Sequence, residues 1–323
     1  MSEALLDHAT ETIEVGSKSF AAAARLFAPD VRRSVLMLYA WCRHCDDVVD
    51  GQELGFAAAA QPQDADAAAG ALAQLEQQTR LAYTGATMQE PAFAAFQEVA
   101  LRCAIAPQYA FDHLAGFAMD VQQARYATLD DTLRYSYHVA GVVGLMMATI
   151  MGAKEPAVLD RACDLGIAFQ LTNIARDIVD DARVGRCYLP AGWLREAGIP
   201  QDELALPRHR AALARVAARL VAQAEPYYAS ASEGLAALPL RSAWAIATAH
   251  LVYRQIGMVV TARGAQAWDE RAGTSRATKL WLLCKGGVLA LASRFSTPRA
   301  RPAGLWQRPL HEALRHAAPA TAA

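Results

Sequence analysis

The sequence predicts an all-α protein built as a single domain around a central cavity. Ala, Leu, Arg, Glu and Gln dominate its 323 residues, and these residues are strong helix formers. Alternating runs of Val, Ile and Thr, which are typical of strands, are nearly absent. With 54% hydrophobic and 20% charged residues, the chain can bury a large core. The domain is expected to cover residues 1–295, with a loosely ordered tail at 296–323.

Proline and glycine divide this domain into about eight to ten helices with short connections. Residues 51–70, rich in Ala, Gln and Asp, are expected to form a mobile flap beside the helix that precedes them. Gly141 and Gly144 lie within an apolar helical segment and would let a substrate or a neighbouring helix approach the backbone. The breaks fall at Pro29, 51–70, 85–91, Pro107, 154–156, 185–207 and Pro239.

The helix that follows Pro29 carries the first acidic stripe. At about 100° per residue, its apolar side chains share an arc of about 80° that faces the core. Tyr39, Arg43, Asp46 and Asp50 follow the edge of this arc at spacings of four, three and four. These polar groups therefore border the core.

A second acidic stripe lies on a later helix. Gln170, Asn173, Asp177 and Asp181 recur at spacings of three, four and four, so they fall within about 80° of one another. Aliphatic residues surround them. The ribbon is therefore expected to face a cavity inside the protein.

Two such stripes, about 130 residues apart, are what a site needs to hold divalent cations against an oligophosphate. Mg²⁺ prefers carboxylate oxygens together with substrate phosphates. The alternative is that both clusters are solvated helix ends, stabilised by neighbouring arginines, since carboxylates are mostly exposed. The neighbouring arginines are Arg43, Arg176, Arg183 and Arg186.

Charge and hydropathy narrow the function classes. The formal net charge is −1 and no basic stripe is interleaved with aromatics, so a nucleic-acid partner is not expected. The early acids of the N-terminus argue against a secretory signal, and no apolar run is long enough to span a bilayer. A soluble, cytoplasmic chain is expected. Cys42 and Cys45 lie on the apolar arc and are interpreted as buried structural thiols rather than a zinc or redox pair.

Long segments of the chain resemble the squalene and phytoene synthase family. The resemblance runs from about residue 12 to residue 290 and is closest to the bacterial members of the phytoene branch. It implies the all-α isoprenoid synthase fold, in agreement with the helix pattern. The matching segments are GSKSF at 16–20, YAWCRHCDDVVD at 39–50, YSYHVAGVVGLMM at 135–147 and LGIAFQLTNIARDIVDDARVGRCYLP at 165–190.

The resemblance implies a reaction as well. Two molecules of geranylgeranyl diphosphate, a C20 allylic diphosphate, would join head to head through a cyclopropylcarbinyl diphosphate and give phytoene, the first committed step of carotenoid synthesis. Several Mg²⁺ or Mn²⁺ ions would bridge the diphosphates. No NADPH is expected. Product and substrate are lipids, so reversible contact with the inner face of the cell membrane is expected, with residues 281–292 as the contact region and other carotenoid enzymes as neighbours.

The family's functional residues can be carried over to matching positions. Asp46, Asp50, Asp177 and Asp181 resemble the metal-binding carboxylates, with Asn173 as a further ligand. Ser17, Lys18, Ser19 and Arg43 resemble diphosphate contacts, with Arg186 as a weaker one. Tyr39, Tyr135, Gln170 and Tyr253 resemble the lining of the reaction centre, although ordinary core packing explains each aromatic taken alone. Asp47 and Asp180 lie off the shared faces and would support the ligands.

Three alternatives remain open at this stage. A relative specific for C15 diphosphates would make dehydrosqualene, or squalene by reduction. A terpene cyclase or chain elongase also pairs acidic motifs with Mg²⁺, but segments 16–20 and 135–144 argue against it. A helical protein that carries a prenyl lipid without catalysis is the alternative from another class.

Overall fold

The computed structural model describes residues 2–16, 18–53, 56–57 and 65–309. Within these ranges the chain forms thirteen α-helices and one hairpin of two short strands, β1 (Gln52–Glu53) and β2 (Phe56–Ala57). The helices are α1 (Ser2–Gly16), α2 (Lys18–Ala24), α3 (Pro29–Asp50), α4 (Ala65–Thr84), α5 (Pro91–Arg102), α6 (Pro107–Val121), α7 (Leu129–Ser136), α8 (Val142–Ile150), α9 (Pro156–Arg183), α10 (Ala191–Glu196), α11 (Arg210–Ser232), α12 (Leu240–Arg263) and α13 (Arg276–Ala292).

The predicted all-α class is confirmed, and proline sets several of the helix starts. Pro29, Pro91, Pro107 and Pro156 each occupy the first helical position, where the missing N–H is not needed and the fixed φ suits the helix. The helices outnumber the predicted eight to ten because some breaks are short turns. Between α7 and α8, for example, residues Tyr137–Gly141 form one π-helical turn without leaving the helix axis.

The flap predicted at 51–70 is shorter than expected, because α4 already begins at Ala65. Its Ala-rich start is a strong helix former. The β1–β2 hairpin occupies the other end of the segment, with Gln52 opposite Ala57. Residues 54–55 and 58–64 lie outside the described residues.

The core is built around α9, which packs against α8, α11 and α12. Both Trp41 of α3 and Phe96 of α5 are fully buried, and their rings stack with centroids 4.1 Å apart. Cys45 lies in this core and Cys42 is half-buried, and burial raises the pKa of the Cys42 thiol to about 12. The thiols therefore stay protonated and pack as small apolar groups.

Glycine allows α9 to approach its neighbours closely. A methyl group in place of the Gly144 hydrogen would lie 2.2 Å from the Ala162 carbonyl oxygen, and one at Gly166 would lie 2.2 Å from the Ala140 carbonyl oxygen. No real side chain tolerates such distances. The close approach foreseen at Gly144 is therefore between two helix backbones.

The C-terminal segment differs from the expected loose tail. Residues 296–309 form no helix, but Leu305 and Arg308 are buried and Arg301 pairs with Asp164 of α9. The sequence gives no sign of this, because the partners are more than 130 positions apart. Residues 310–323 lie outside the described residues.

We predict that Gly166→Ala destabilises the protein by about 1–3 kcal/mol, since the added methyl has no space. The matched control is Gly70→Ala in the second turn of α4, where a methyl would meet nothing within 4 Å. That control should raise stability by about 0.5–1 kcal/mol, because alanine is the better helix former. Urea denaturation measures both, and equal stabilities of the two variants would contradict the packing account.

Candidate active site

A cavity of about 430 Å³ lies between the helices. Most of its lining is apolar and comes from α2, α3, α8, α9 and α12. Apart from His113 and Arg161, its charged, amide and hydroxyl side chains form what is called the polar end below. These polar lining residues are Tyr39, Arg43, Asp46, Asp120, Tyr135, Gln170, Asn173, Arg186, Tyr188 and Tyr253.

The α3 stripe meets two arginines at this polar end. Arg43 Nη1 donates a hydrogen bond to Asp46 Oδ2 over 2.6 Å. Arg186, which follows α9, pairs with both carboxylate oxygens of Asp50, so the pair joins the two acid-bearing segments across the mouth. Desolvation, with Asp50 and Asp47 nearby, nevertheless raises the pKa of Asp46 to about 6.

The α9 ribbon is organised in the same way. Asn173 and Gln170 line the cavity, and Asn173 Nδ2 donates to Gln170 Oε1 over 3.4 Å. Asp177 is paired with Arg176 at 2.5 Å and with Arg271 at 3.2 Å.

Two groups of the ribbon, the Asp181 carboxyl and the Asn173 amide, lack full electrostatic or hydrogen-bond compensation. Burial and the neighbouring Asp177 raise the pKa of Asp181 to about 7. Asn173 Oδ1 is buried, and among the described residues it has no hydrogen-bond partner. The ribbon therefore carries a free amide acceptor and a carboxyl group that burial makes hard to ionise.

An aspartate that sequence reasoning missed holds two tyrosines. Asp120 of α6 accepts hydrogen bonds from Tyr135 Oη and Tyr188 Oη, each over 3.0 Å. The two rings stack with centroids 4.4 Å apart. Burial raises the pKa of Asp120 to about 6 despite both bonds and the nearby Arg186. Asp112, Gly116 and Asp120 recur every four residues along α6, and this spacing could have identified the face.

Aromatic rings line the wall next to the polar end. Phe169 of α9 stacks on Tyr253 of α12 at 4.2 Å, and Phe20 lies 5.5 Å from Tyr253 and 6.4 Å from Tyr39. Gly16 makes room for this group, since a methyl there would lie 2.6 Å from Tyr39 Oη. Ring faces arranged in this way attract a cation.

The structure brings most of the predicted site residues together, but not all. Tyr39, Arg43, Asp46, Tyr135, Gln170, Asn173, Arg186 and Tyr253 line the cavity. Asp50, Asp177 and Asp181 lie on the same two helices without lining it. Ser17 and the side chains of Lys18 and Ser19 lie outside the described residues.

The arginine pairs agree with one part of the alternative stated above, in which the acids are helix ends neutralised by arginine. Asp180 fits it fully, because its side chain is 61% exposed and pairs with Arg183 over 2.8 Å. Asp46, Asp50 and Asp177 differ, because they border a cavity or are shielded from solvent. Within the described ranges, no three His, Cys, Asp or Glu side chains are arranged around one metal position.

Known proteins match almost the whole chain. The family model described as squalene/phytoene synthase covers residues 13–278. The 15-cis-phytoene synthase of Pantoea ananas is 64% identical over 95% of this chain and 98% of its own. That of Enterobacter agglomerans is 63% identical over 92% and 100%.

The chain belongs to the squalene/phytoene synthase family.

Solved structures agree with this assignment. A dehydrosqualene synthase bound to a ligand has a TM-score of 0.78 at 26% identity, over 90% of this chain and 98% of that one. A squalene synthase from Alicyclobacillus acidocaldarius has a TM-score of 0.70 at 22% identity, over 81% and 95%, and shares the fold. The isoprenoid synthase fold expected from the resemblance is therefore confirmed.

His113 is a second residue that sequence reasoning missed in this member of the squalene/phytoene synthase family. It lines the cavity from α6, and its Nδ1 donates to the His138 carbonyl oxygen over 3.2 Å. Nε2 is buried, and no described residue bonds to it. Burial lowers the pKa of His113 to about 4, so the ring is neutral at physiological pH.

We predict that His113→Gln makes the protein less sensitive to acid. The pKa of histidine is about 6.5 in an unfolded chain. Between pH 6.5 and 4 the His113 ring is therefore protonated in the unfolded state and neutral in the native state. The free energy of unfolding then falls as the pH falls through this range. Denaturation at pH 7 and pH 4.5 should show a smaller loss in the variant than in the wild type. An equal loss in both would show that His113 is not kept neutral.

Proposed function

We propose that the chain catalyses the head-to-head condensation of two geranylgeranyl diphosphates into phytoene. The observation that carries this proposal is the identity of 60–64% with three phytoene synthases over more than nine-tenths of the chain. The chain is a prenyltransferase. Each half of the reaction releases one diphosphate and one proton, first giving the cyclopropylcarbinyl diphosphate and then phytoene.

The depth of the cavity supports a C20 substrate. Along α9 the lining runs from Asn173 down to Val158, fifteen residues that cover roughly 22 Å at 1.5 Å per residue. The sixteen main-chain carbons of a geranylgeranyl group, with bonds of about 1.5 Å, reach roughly 20 Å when extended. One such group therefore fits lengthwise from the polar end.

The residues of the polar end perform distinct parts of the reaction. Arg43 and Arg186 exchange their aspartate partners for the diphosphate, which accepts the bidentate hydrogen bonds that Arg186 gives to Asp50 and the single bond that Arg43 gives to Asp46. The rings of Phe169, Tyr253 and Tyr39 face the allylic cation and exclude water from it. The Tyr135 and Tyr188 hydroxyls, both fixed on Asp120, also line the polar end.

Divalent metal fits the donor set of the two stripes. Carboxylate oxygens and the unpaired Asn173 Oδ1 are the hard oxygen ligands that Mg²⁺ and Mn²⁺ prefer. Asp46, Asp50, Asn173, Asp177 and Asp181 would hold the ions, with Ser17, Lys18 and Ser19 on the diphosphate. Bound metal supplies Lewis-acid activation of the leaving diphosphate.

Product identification tests the proposed reaction. The purified protein is incubated with C20 or C15 diphosphate and Mg²⁺ or Mn²⁺, without NADPH, and the hydrocarbon is identified. Phytoene from the C20 substrate is expected. Preferential formation of dehydrosqualene from the C15 substrate would support the C15-specific alternative, and tight lipid binding without diphosphate release would support the carrier.

We predict that Asp46→Asn lowers the rate of diphosphate release by several orders of magnitude while thermal melting is unchanged. The raised pKa of Asp46 means that its ionised form is unfavourable in the folded protein, so the amide costs no stability. Asp202→Asn is the control, because its side chain is exposed and does not line the cavity. An Asp46→Asn variant with near-normal turnover would contradict the assignment of the α3 stripe.

We predict that Ala24→Phe shifts the substrate preference from C20 to C15. Ala24 ends α2 and lines the apolar part of the cavity, where it is buried, so a phenyl ring would fill the path of the tail. Ala211→Phe, at an exposed position of α11, is the control. The ratio of C20 to C15 turnover should fall in the first variant alone, whereas equal loss with both substrates would indicate a packing defect.

The surface of α13 supports reversible contact with the cytoplasmic membrane face. Trp281, Cys284, Val288 and Leu291 recur along α13 at spacings of three, four and three and form one stripe, and Phe295 follows in the 3-10 turn after the helix. All five are exposed, Trp281 by 67% and Phe295 by 91%. None of the helices in the described ranges is long and apolar enough to cross a membrane. A helix with such a stripe lies in the membrane interface.

Liposome flotation measures this contact. The wild type should float with vesicles, and Trp281→Ser combined with Val288→Ser should not, because the apolar area inserted into the bilayer is lost. Leu206→Ser, at a partly exposed leucine before α11, is the control. A wild-type protein that stays in the soluble fraction at all lipid concentrations would refute the contact.

A further inference from the structure

A buried charged network joins the C-terminal segment to α9. Asp164 is fully buried and accepts hydrogen bonds from Arg301 Nε and Nη2 over 2.9 and 2.7 Å. Ser230 Oγ of α11 donates to the same carboxylate over 2.5 Å. A buried carboxylate is stable only when its partners are held in place, so the segment around Arg301 is fixed against the two helices.

A second set of contacts holds the same segment. Arg308 pairs with Asp160 of α9 at 2.6 Å, and the Trp306 backbone N–H donates to Tyr227 Oη over 3.1 Å. Arg301 Nη2 also donates to the Trp306 carbonyl oxygen over 2.7 Å. Residues 299–308 therefore lie along α9 and α11 as an outer support.

Arg161 connects this support to the cavity. Its guanidinium group donates to Ser230 Oγ over 2.9 Å and to the Arg299 carbonyl oxygen over 2.5 Å. The guanidinium group of Arg161 thus points to α11 and to the C-terminal segment, while the residue lines the cavity. Arginine commonly buries its aliphatic stem against apolar surface in this way. The stem is available to a hydrocarbon tail.

Gly234 completes the same part of the wall. It lines the cavity just after α11, and a methyl group in place of its hydrogen would lie 2.8 Å from Arg161 Cβ and 3.3 Å from Arg161 Cγ. The two residues are already in full contact. A larger residue at position 234 must displace Arg161 or enter the cavity.

The position of this contact along α9 relates it to one part of the substrate. Arg161 lies twelve residues before Asn173, which is roughly 18 Å along the helix. The twelve main-chain carbons of a C15 tail, with bonds of about 1.5 Å, end roughly 4 Å short of that level. Only the fourth isoprene unit of a C20 tail reaches it, and the lining of the cavity along α9 ends less than one turn beyond Arg161, at Val158.

We infer that Arg161 and Gly234 form a stop, the end wall that limits how long a prenyl tail can be by contacting its fourth isoprene unit. The C-terminal segment holds this stop in place. The inference rests on the proposed condensation of prenyl diphosphates. It assigns substrate-length specificity to a wall far from the reacting carbons.

The test compares C15, C20 and C25 diphosphates on three variants. Gly234→Val should lower kcat/KM for the C20 substrate by about ten- to hundredfold, the usual effect of a misfit in an apolar pocket, and leave that for the C15 substrate unchanged. Arg161→Ala should raise use of the C25 substrate by a similar factor. Arg161→Met keeps the stem and should retain the wild-type preference.

Matched measurements separate this inference from the proposed reaction. Gly70→Val is the control, since nothing lies within 4 Å of that position, and thermal melting reports whether each variant folds. Dissociation constants of the three thiolodiphosphate analogues, which do not ionise, give the length preference even if no condensation occurs. If both Gly234→Val and Arg161→Ala bound all three analogues as the wild type does, or lost affinity for all three equally, the inferred stop would be contradicted. If Gly234→Val does not fold, Arg161→Ala and Arg161→Met decide alone.

Discussion

The pairing of buried carboxylates with arginines at one end of an apolar cavity is the constraint on which the site depends. Asp50 and Arg186 join α3 to the segment after α9, and Asp177 is paired with Arg176 and Arg271. These pairs keep charges stable in a low-dielectric setting. Asp46 and Asp181, with raised pKa values, are less well compensated. The arginine–aspartate pairs hold the polar end together, and under the proposed function the same groups would accept a phosphate group and cations.

The rest of the fold shapes the apolar part of the cavity, which extends from the polar end. Gly144 and Gly166 allow the helices around α9 to touch backbone to backbone, so that the wall is tightly packed. Small residues such as Ala24 leave space in the cavity for the prenyl tail of the proposed substrate. A tightly packed wall around an open channel favours one extended hydrocarbon length, because interiors adjust little to a change in volume.

The sequence predicts those parts of the molecule that depend on helical spacing. The stripes of α3 and α9 were readable because residues three or four positions apart share a face, and eight of the predicted site residues line the cavity. Asp120, His113 and Tyr188 were missed: spacing along α6 marks the face that carries Asp120, but the tyrosines that bond to it and the cavity beside His113 depend on which segments meet in the fold. The same holds for Arg301 and Asp164, whose contact joins residues 137 positions apart.

The central claim is that substrate binding exchanges the arginine–aspartate pairs for diphosphate and cations. A crystal structure with Mn²⁺ and a C20 thiolodiphosphate tests it most directly, because anomalous scattering locates manganese. The expected result is manganese between α3 and α9, bound to Asp50 and Asp177, with the Arg186 guanidinium on the diphosphate. A diphosphate bound elsewhere, with the Asp50–Arg186 pair intact, would contradict the account.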